Sequence, residues 1–133
     1  MEKKYKHLDF LQAAISRMAG NLFLLKGWSI TLIAALFALS AKDSNKLYVV
    51  LAYYPLFVFW VLDGYFLAQE RRFRALYDYV RTLPEDKIDF SMDTRPYAQD
   101  YPNTWLGSLL SRTLLIYYGS LALVMLLMMF ALR

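Results

Sequence analysis

Two charged residues stand alone inside long apolar runs. Lys26 is the one charge in NLFLLKGWSITLIAALFALSA (21–41), and Asp63 is the one charge in LYVVLAYYPLFVFWVLDGYFLA (47–68). An ionised group in hydrocarbon is costly, so each needs an opposite charge, water or the headgroup layer within reach. The two runs are joined by KDSNK (42–46), and Lys26 and Asp63 lie equally far from the middle of that link. Folded back as a hairpin, the helices bring both to one depth, about 22 Å from the outer boundary at 1.5 Å per residue. The chemistry expected is a Lys26–Asp63 ion pair, or two charges lining one hydrated vestibule, acting as a gate near the cytoplasmic mouth. Direct reach to the headgroups is the alternative, and it suits the longer Lys26 better than Asp63. Ser29 and Thr31 follow about one helical turn above Lys26 and are candidates for lining a channel. Ordinary close packing of helices is the competing reading for both, as it is for Ser40, Gly119 and Ser120.

A second constellation is basic. Arg71, Arg72, Arg74 and Arg81 follow the second apolar run, while Lys4, Lys6 and Arg17 (with Lys3) precede the first. Aromatic residues interleave with them: Tyr5, Phe73, Tyr77 and Tyr79. Cations between aromatic rings suit a polyanionic ligand, such as nucleotide or nucleic-acid phosphates. Membrane topology and attraction to anionic lipid are the competing explanation.

Other chemistries find little support. With no cysteine, disulfides and thiolate metal sites are excluded, and the single histidine, His7, cannot build a metal centre. Serine, histidine and acid do not combine at a nucleophilic spacing, and no glycine-rich phosphate loop occurs. Asp86, Asp89, Asp93 and Asp100 are spaced too irregularly for a calcium loop. The expectation is a protein that is not an enzyme and uses no cofactor or metal.

The elements that must position these residues follow from composition. A chain of 133 residues that is 59% hydrophobic cannot bury that apolar surface in a core of its own. The two runs above and TLLIYYGSLALVMLLMMFAL (113–132) each meet the roughly 20-residue requirement for a spanning helix. The fold class expected is an all-α integral membrane protein with three transmembrane helices. The first two form a long antiparallel hairpin that extends into cytoplasmic helical stalks. One membrane domain covers 1–133: a helix over 4–41, a second over 47–83, a cytoplasmic loop over 84–104, and an interfacial start plus third span over 105–132. No cleavable signal peptide is expected, because the first apolar run lacks a small-residue exit. Lysine and arginine are concentrated before the first span and between the second and third, so a bacterial inner-membrane location is expected with the N-terminus cytoplasmic and the C-terminus periplasmic.

Leu8, Leu11, Ile15, Met18, Leu22 and Leu25 recur at spacings of three and four, and Ser29, Leu32, Leu36 and Leu39 continue the same seam. Such a stripe packs against the rest of its own chain or against a second copy. Gly20 and Gly27 would allow a bend, and Pro55 would kink the second helix or free a carbonyl. Phe73, Leu76, Tyr77, Val80 and Leu83 give the second stalk an apolar face. The segment 84–104 holds three of the four prolines and five of the eleven acids, and reads as a solvated loop. Asn103 or Thr104 can cap a helix starting at Trp105, with Trp105 and Arg112 as interfacial anchors.

RMAGNLFLLKGWSITL (17–32) and FVFWVLDGYFLAQERRFRALYDYVR (57–81) resemble small bacterial membrane effectors of nucleotidyltransferase-linked anti-phage defence systems, of the Hailong type. The resemblance covers roughly the first 85 residues. It implies a homo-oligomeric membrane effector whose cytoplasmic helices bind an oligonucleotide or cyclic nucleotide made by a partner nucleotidyltransferase. Arg71, Arg72, Arg74 and Arg81 are the positions it would assign to that ligand. The function expected is a ligand-gated channel or pore-forming effector in the lipid bilayer. A non-conducting scaffold that recruits a cytoplasmic partner is the alternative, and a small transporter or lipid-binding subunit a third.

Overall fold

A computed structural model describes residues 2–43 and 47–131 of the chain. Residues 44–46 of the short link expected between the first two helices (42–46) and the end of the third span (132) lie outside the described residues. Every regular element among those described is helical. Helix α1 spans Glu2–Asp43, α2 Leu47–Arg81, α3 Trp105–Leu109 and α4 Arg112–Ala131, with three single-turn 3-10 helices between α2 and α3. At 1.5 Å per residue the three long helices measure about 63, 52 and 30 Å. Each is long and apolar enough to cross a membrane.

Two apolar cores hold the helices together. In one, Leu11 of α1 meets Leu76 and Val80 of α2, flanked by Leu8, Phe73 and Tyr77. In the other, Ile33 of α1 packs with Val49, Ala52 and Leu56 of α2 and with Leu114, Tyr118 and Met125 of α4. Helix α2 continues through Pro55, which lacks an N–H and so leaves the Leu51 carbonyl without its usual intrahelical donor.

The seam on α1 departs from the expected heptad stripe. Leu32 and Leu39 are 42% and 43% exposed, whereas Ile33 and Ser40, one position later, are buried. The cause is geometric. A seven-residue repeat slips by about 20° per heptad on a straight helix of 3.6 residues per turn. Three heptads beyond Leu11 the slip is about 60°, so position 33 faces the partner helix more squarely than position 32.

The 84–104 segment is also more than a solvated loop. Ile88 and Tyr97 pack onto the Leu11–Leu76–Val80 core. The Glu85 carboxylate accepts the backbone N–H groups of Lys3 and Lys4 at 2.8 and 3.1 Å, capping α1 from outside that helix. His7 is buried, and its Nε2 lies 2.8 Å from the Ser91 carbonyl oxygen. A carbonyl only accepts, so this nitrogen carries the proton. Phe90, at φ 56°, takes the left-handed conformation and sets its ring beside those of His7 and Phe10. Asp89 and Asp93 accept the backbone N–H groups of Ser91 and Arg95, so these acids hold turns of the 84–104 segment, the strap of the molecule.

Thr104 caps α3, its hydroxyl oxygen accepting the Gly107 N–H at 2.9 Å. The expected run from interfacial start into third span is interrupted at Leu110–Ser111. Ser111 restarts the helix: its carbonyl accepts the Leu115 N–H at 2.9 Å.

Candidate functional site

The site begins with a close approach. Gly64 of α2 lies against Leu109 of α3, and a methyl group at position 64 would overlap the leucine side chain. Two indoles secure the contact: Trp60 Nε1 donates to the Leu109 carbonyl at 3.1 Å, and Trp105 Nε1 donates to the Val61 carbonyl at 3.0 Å. With α3 held there, α4 starts beside α2 and carries Tyr117 and Tyr118 inward.

Lys26 and Asp63 meet at this level, with Lys26 Nζ 2.7 Å from Asp63 Oδ2. The Asp63 side chain is fully buried, while the Lys26 side chain keeps a quarter of its surface exposed. Tyr118 donates to the same Asp63 oxygen at 2.9 Å. Asp63 Oδ1 is buried and has no hydrogen-bond partner among the described residues. A second set of bonds joins α4 to α1: Tyr117 donates to the Lys26 carbonyl at 2.7 Å, and the Ser29 hydroxyl lies 3.0 Å from Tyr117 Oη. Lys26 Nζ also sits 5.7 Å from the centre of the Tyr117 ring. All three long helices thus converge on one polar network inside an otherwise apolar bundle.

Of the two residues considered for channel lining, Ser29 is buried within this network and Thr31 is exposed. The Thr31 hydroxyl donates to the Gly27 carbonyl of its own helix at 2.9 Å.

The arginines of α2 have different partners. Arg71 donates to the Pro102 carbonyl at 2.6 Å and Arg72 to the Asn103 carbonyl at 2.9 Å, so both hold the strap to α2. Arg74 pairs with Glu70 one turn earlier at 2.7 Å, and Arg81 lies 3.8 Å from Asp78. Lys6 and Arg17 are exposed, and Lys4 is half-buried. Arg71 and Arg72 each keep further guanidinium donors beyond the one given to the loop.

Sequence reasoning did not find Tyr117, Tyr118, Glu85 or the His7–Ser91 contact. The two tyrosines carried a signal: they lie one to two turns into a span that has no charge, on the side where Lys26 and Asp63 were expected. Glu85 and Ser91 carried none, because each contact joins a side chain to a backbone group more than eighty residues away.

Comparison with known proteins adds no relative: no family model, curated protein or solved structure matches this chain.

Proposed function

We propose that the chain is a subunit of an oligomeric, ion-conducting assembly in a bacterial inner membrane, gated at the Lys26–Asp63 pair. In this reading α1 and α2 form an antiparallel hairpin across the bilayer. The lysine and arginine bias supports a cytoplasmic N-terminus and strap, with a periplasmic C-terminus. Three helices are too few to enclose a path, so several copies must surround it. The exposed Phe23, Trp28, Phe57 and Ile116 leave ample apolar surface for lipid or for neighbouring copies.

One observation carries the proposal: the buried Asp63 carboxylate takes its hydrogen bonds at one oxygen and, among the described residues, none at the other. A pair kept only for structure is expected to satisfy both, because an unmet buried acceptor is destabilising. A half-met carboxylate suits a state that the protein leaves, exchanging Lys26 and Tyr118 for water or a permeating ion. An effector then shifts the equilibrium by preferring one arrangement over the other. The resemblance to defence effectors supports an oligonucleotide or cyclic nucleotide in that role, with Lys4, Lys6, Arg17, Arg74, Arg81 and the remaining donors of Arg71 and Arg72 as its contacts. The role proposed is conduction and binding, not catalysis.

The test is current across a planar bilayer containing the purified protein, with short oligonucleotides or cyclic dinucleotides added to either chamber. We expect current that responds to these anions from one side only and loses that response in Arg74→Glu/Arg81→Glu. Absence of current under every condition would reject the channel. The engagement of Arg71 and Arg72 with loop carbonyls favours a second reading, a non-conducting scaffold whose strap is the docking surface for a cytoplasmic protein.

A further inference from the structure

A pocket of about 550 Å³ lies on the α1–α4 side of the bundle, lined by Lys26, Arg112, Thr113, Ile116, Tyr117 and Ser120. Two cations therefore border one cavity. Lys26 uses one N–H on Asp63, and two of its three donors remain. Arg112 is exposed and has no hydrogen-bond or ion-pair partner among the described residues. The hydroxyls divide by role. Those of Tyr117 and Ser120 already donate to the carbonyls of Lys26 and Tyr117, which leaves Thr113 as the lining hydroxyl with no hydrogen bond among the described residues. With Asp63 behind Lys26, two cations and one carboxylate leave a single net positive charge.

We propose that this pocket binds the phosphodiester of an anionic phospholipid, with Lys26 and Arg112 as its charged donors. One negative charge on the phosphate matches the one positive charge left by the site. A zwitterionic headgroup would add an ammonium beside two cations and is disfavoured. The walls decide between a lipid and a soluble phosphate. The polar groups sit at the tips, whereas Ile116, 64% exposed, and the Tyr117 ring form an apolar flank on which an acyl chain can lie. Position agrees: Arg112 begins a helix of about 30 Å, the thickness of the hydrocarbon core, and so stands at headgroup level. The lipid phosphate would hold the outer side of Lys26 while Asp63 holds the inner side, which makes the closed pair sensitive to lipid composition.

The proposal rests on the membrane reading above, and its test separates the two. The full chain is reconstituted into nanodiscs of mixed phosphatidylglycerol and phosphatidylcholine, and the lipids that remain bound are counted by native mass spectrometry. We expect one phosphatidylglycerol per chain retained in preference to phosphatidylcholine. Arg112→Gln should weaken that retention about tenfold, the loss of one charge-assisted phosphate contact, while Lys42→Gln, a cation in the last turn of α1 and outside the pocket, should leave it unchanged. Equal retention of both lipids, or retention unaffected by Arg112→Gln, overturns the site. Displacement of the lipid by millimolar glycerol phosphate also overturns it, in favour of a soluble ligand. Failure to enter nanodiscs at all overturns the membrane reading and this proposal with it. Insertion without selective retention overturns the lipid site alone.

Discussion

The two ends of the α1–α2 pair are built on opposite plans. Around Ile33, Val49, Leu56, Leu114 and Tyr118 the contacts are almost wholly apolar, and polarity is concentrated in one network around Asp63. Around Leu11, Leu76 and Val80 the apolar core is small, and many separate polar contacts surround it. There Arg71 and Arg72 hold carbonyls, Glu85 caps a helix and His7 holds Ser91. Removing one polar group from the first region strands buried partners. In the second region the neighbouring contacts share the load. The difference teaches where a switch can reside: in the region whose polar groups stand or fall together.

The largest effect that would sharpen this contrast is loss of the carboxylate. Asp63→Ala leaves Lys26 and Tyr118 without their shared acceptor, and we expect it to destabilise the protein by about 3 kcal/mol in detergent unfolding. Lys26→Met combined with Asp63→Leu should recover most of that loss, since a buried pair replaced by apolar residues is often neutral. If the double variant is as unstable as Asp63→Ala, the two residues do not act as a pair.

Next is the core of Leu11, Leu76 and Val80. Leu11→Ala should cost about 2–3 kcal/mol, near the low end for a buried leucine, because the core there is small. Hydrogen exchange should show faster opening over 2–18 and 70–83, with 112–131 unchanged. A loss of protection throughout α4 would show that the two ends are one cooperative unit.

Tyr118→Phe removes one hydrogen bond to Asp63 and retains the ring in the core, so about 1–2 kcal/mol is expected. The same readout should register about 1 kcal/mol or less for Arg72→Ala, with faster proteolysis within 84–104 as its clearer sign. Equal losses for these two variants would erase the distinction between the regions.

The smallest effect is a pH response at the strap. Burial alone would raise the Glu85 carboxyl, but hydrogen bonds that include the Lys3 and Lys4 amides outweigh it and hold the group below the ordinary glutamate value of 4.5. A depressed carboxyl contributes its full stabilisation above the unfolded value and loses it as pH falls through the folded one. The amide resonances of Lys3 and Lys4 should therefore shift together below pH 4.5, and Glu85→Gln should remove that titration. Unchanged resonances down to pH 2 would deny the cap.

How much of this was legible beforehand depends on the kind of contact. Three helices follow from apolar run lengths, and the facing of Lys26 and Asp63 follows from counting outward from 42–46. Both are properties of helices with a fixed rise per residue. The Thr104 cap is equally local. The strap was not legible, because it is held by side chains meeting distant carbonyls, and every residue supplies a carbonyl. Nor was the break at Leu110–Ser111, where Gly64, Trp60 and Trp105 fix α3 through tertiary contact. The slip from Leu32 to Ile33 lies between these cases: the period is in the sequence, but its phase becomes visible only over several turns.

The measurement that bears most directly on the proposed gate is the current carried by Asp63→Asn in planar bilayers, compared with the wild-type chain at equal protein density. Asparagine keeps the shape and can still accept from Tyr118, but it removes the charge that holds Lys26. We expect the resting current to rise at least tenfold in Asp63→Asn, as the closed arrangement loses its ion pair. Indistinguishable resting currents from the two proteins would contradict a gate at Lys26 and Asp63.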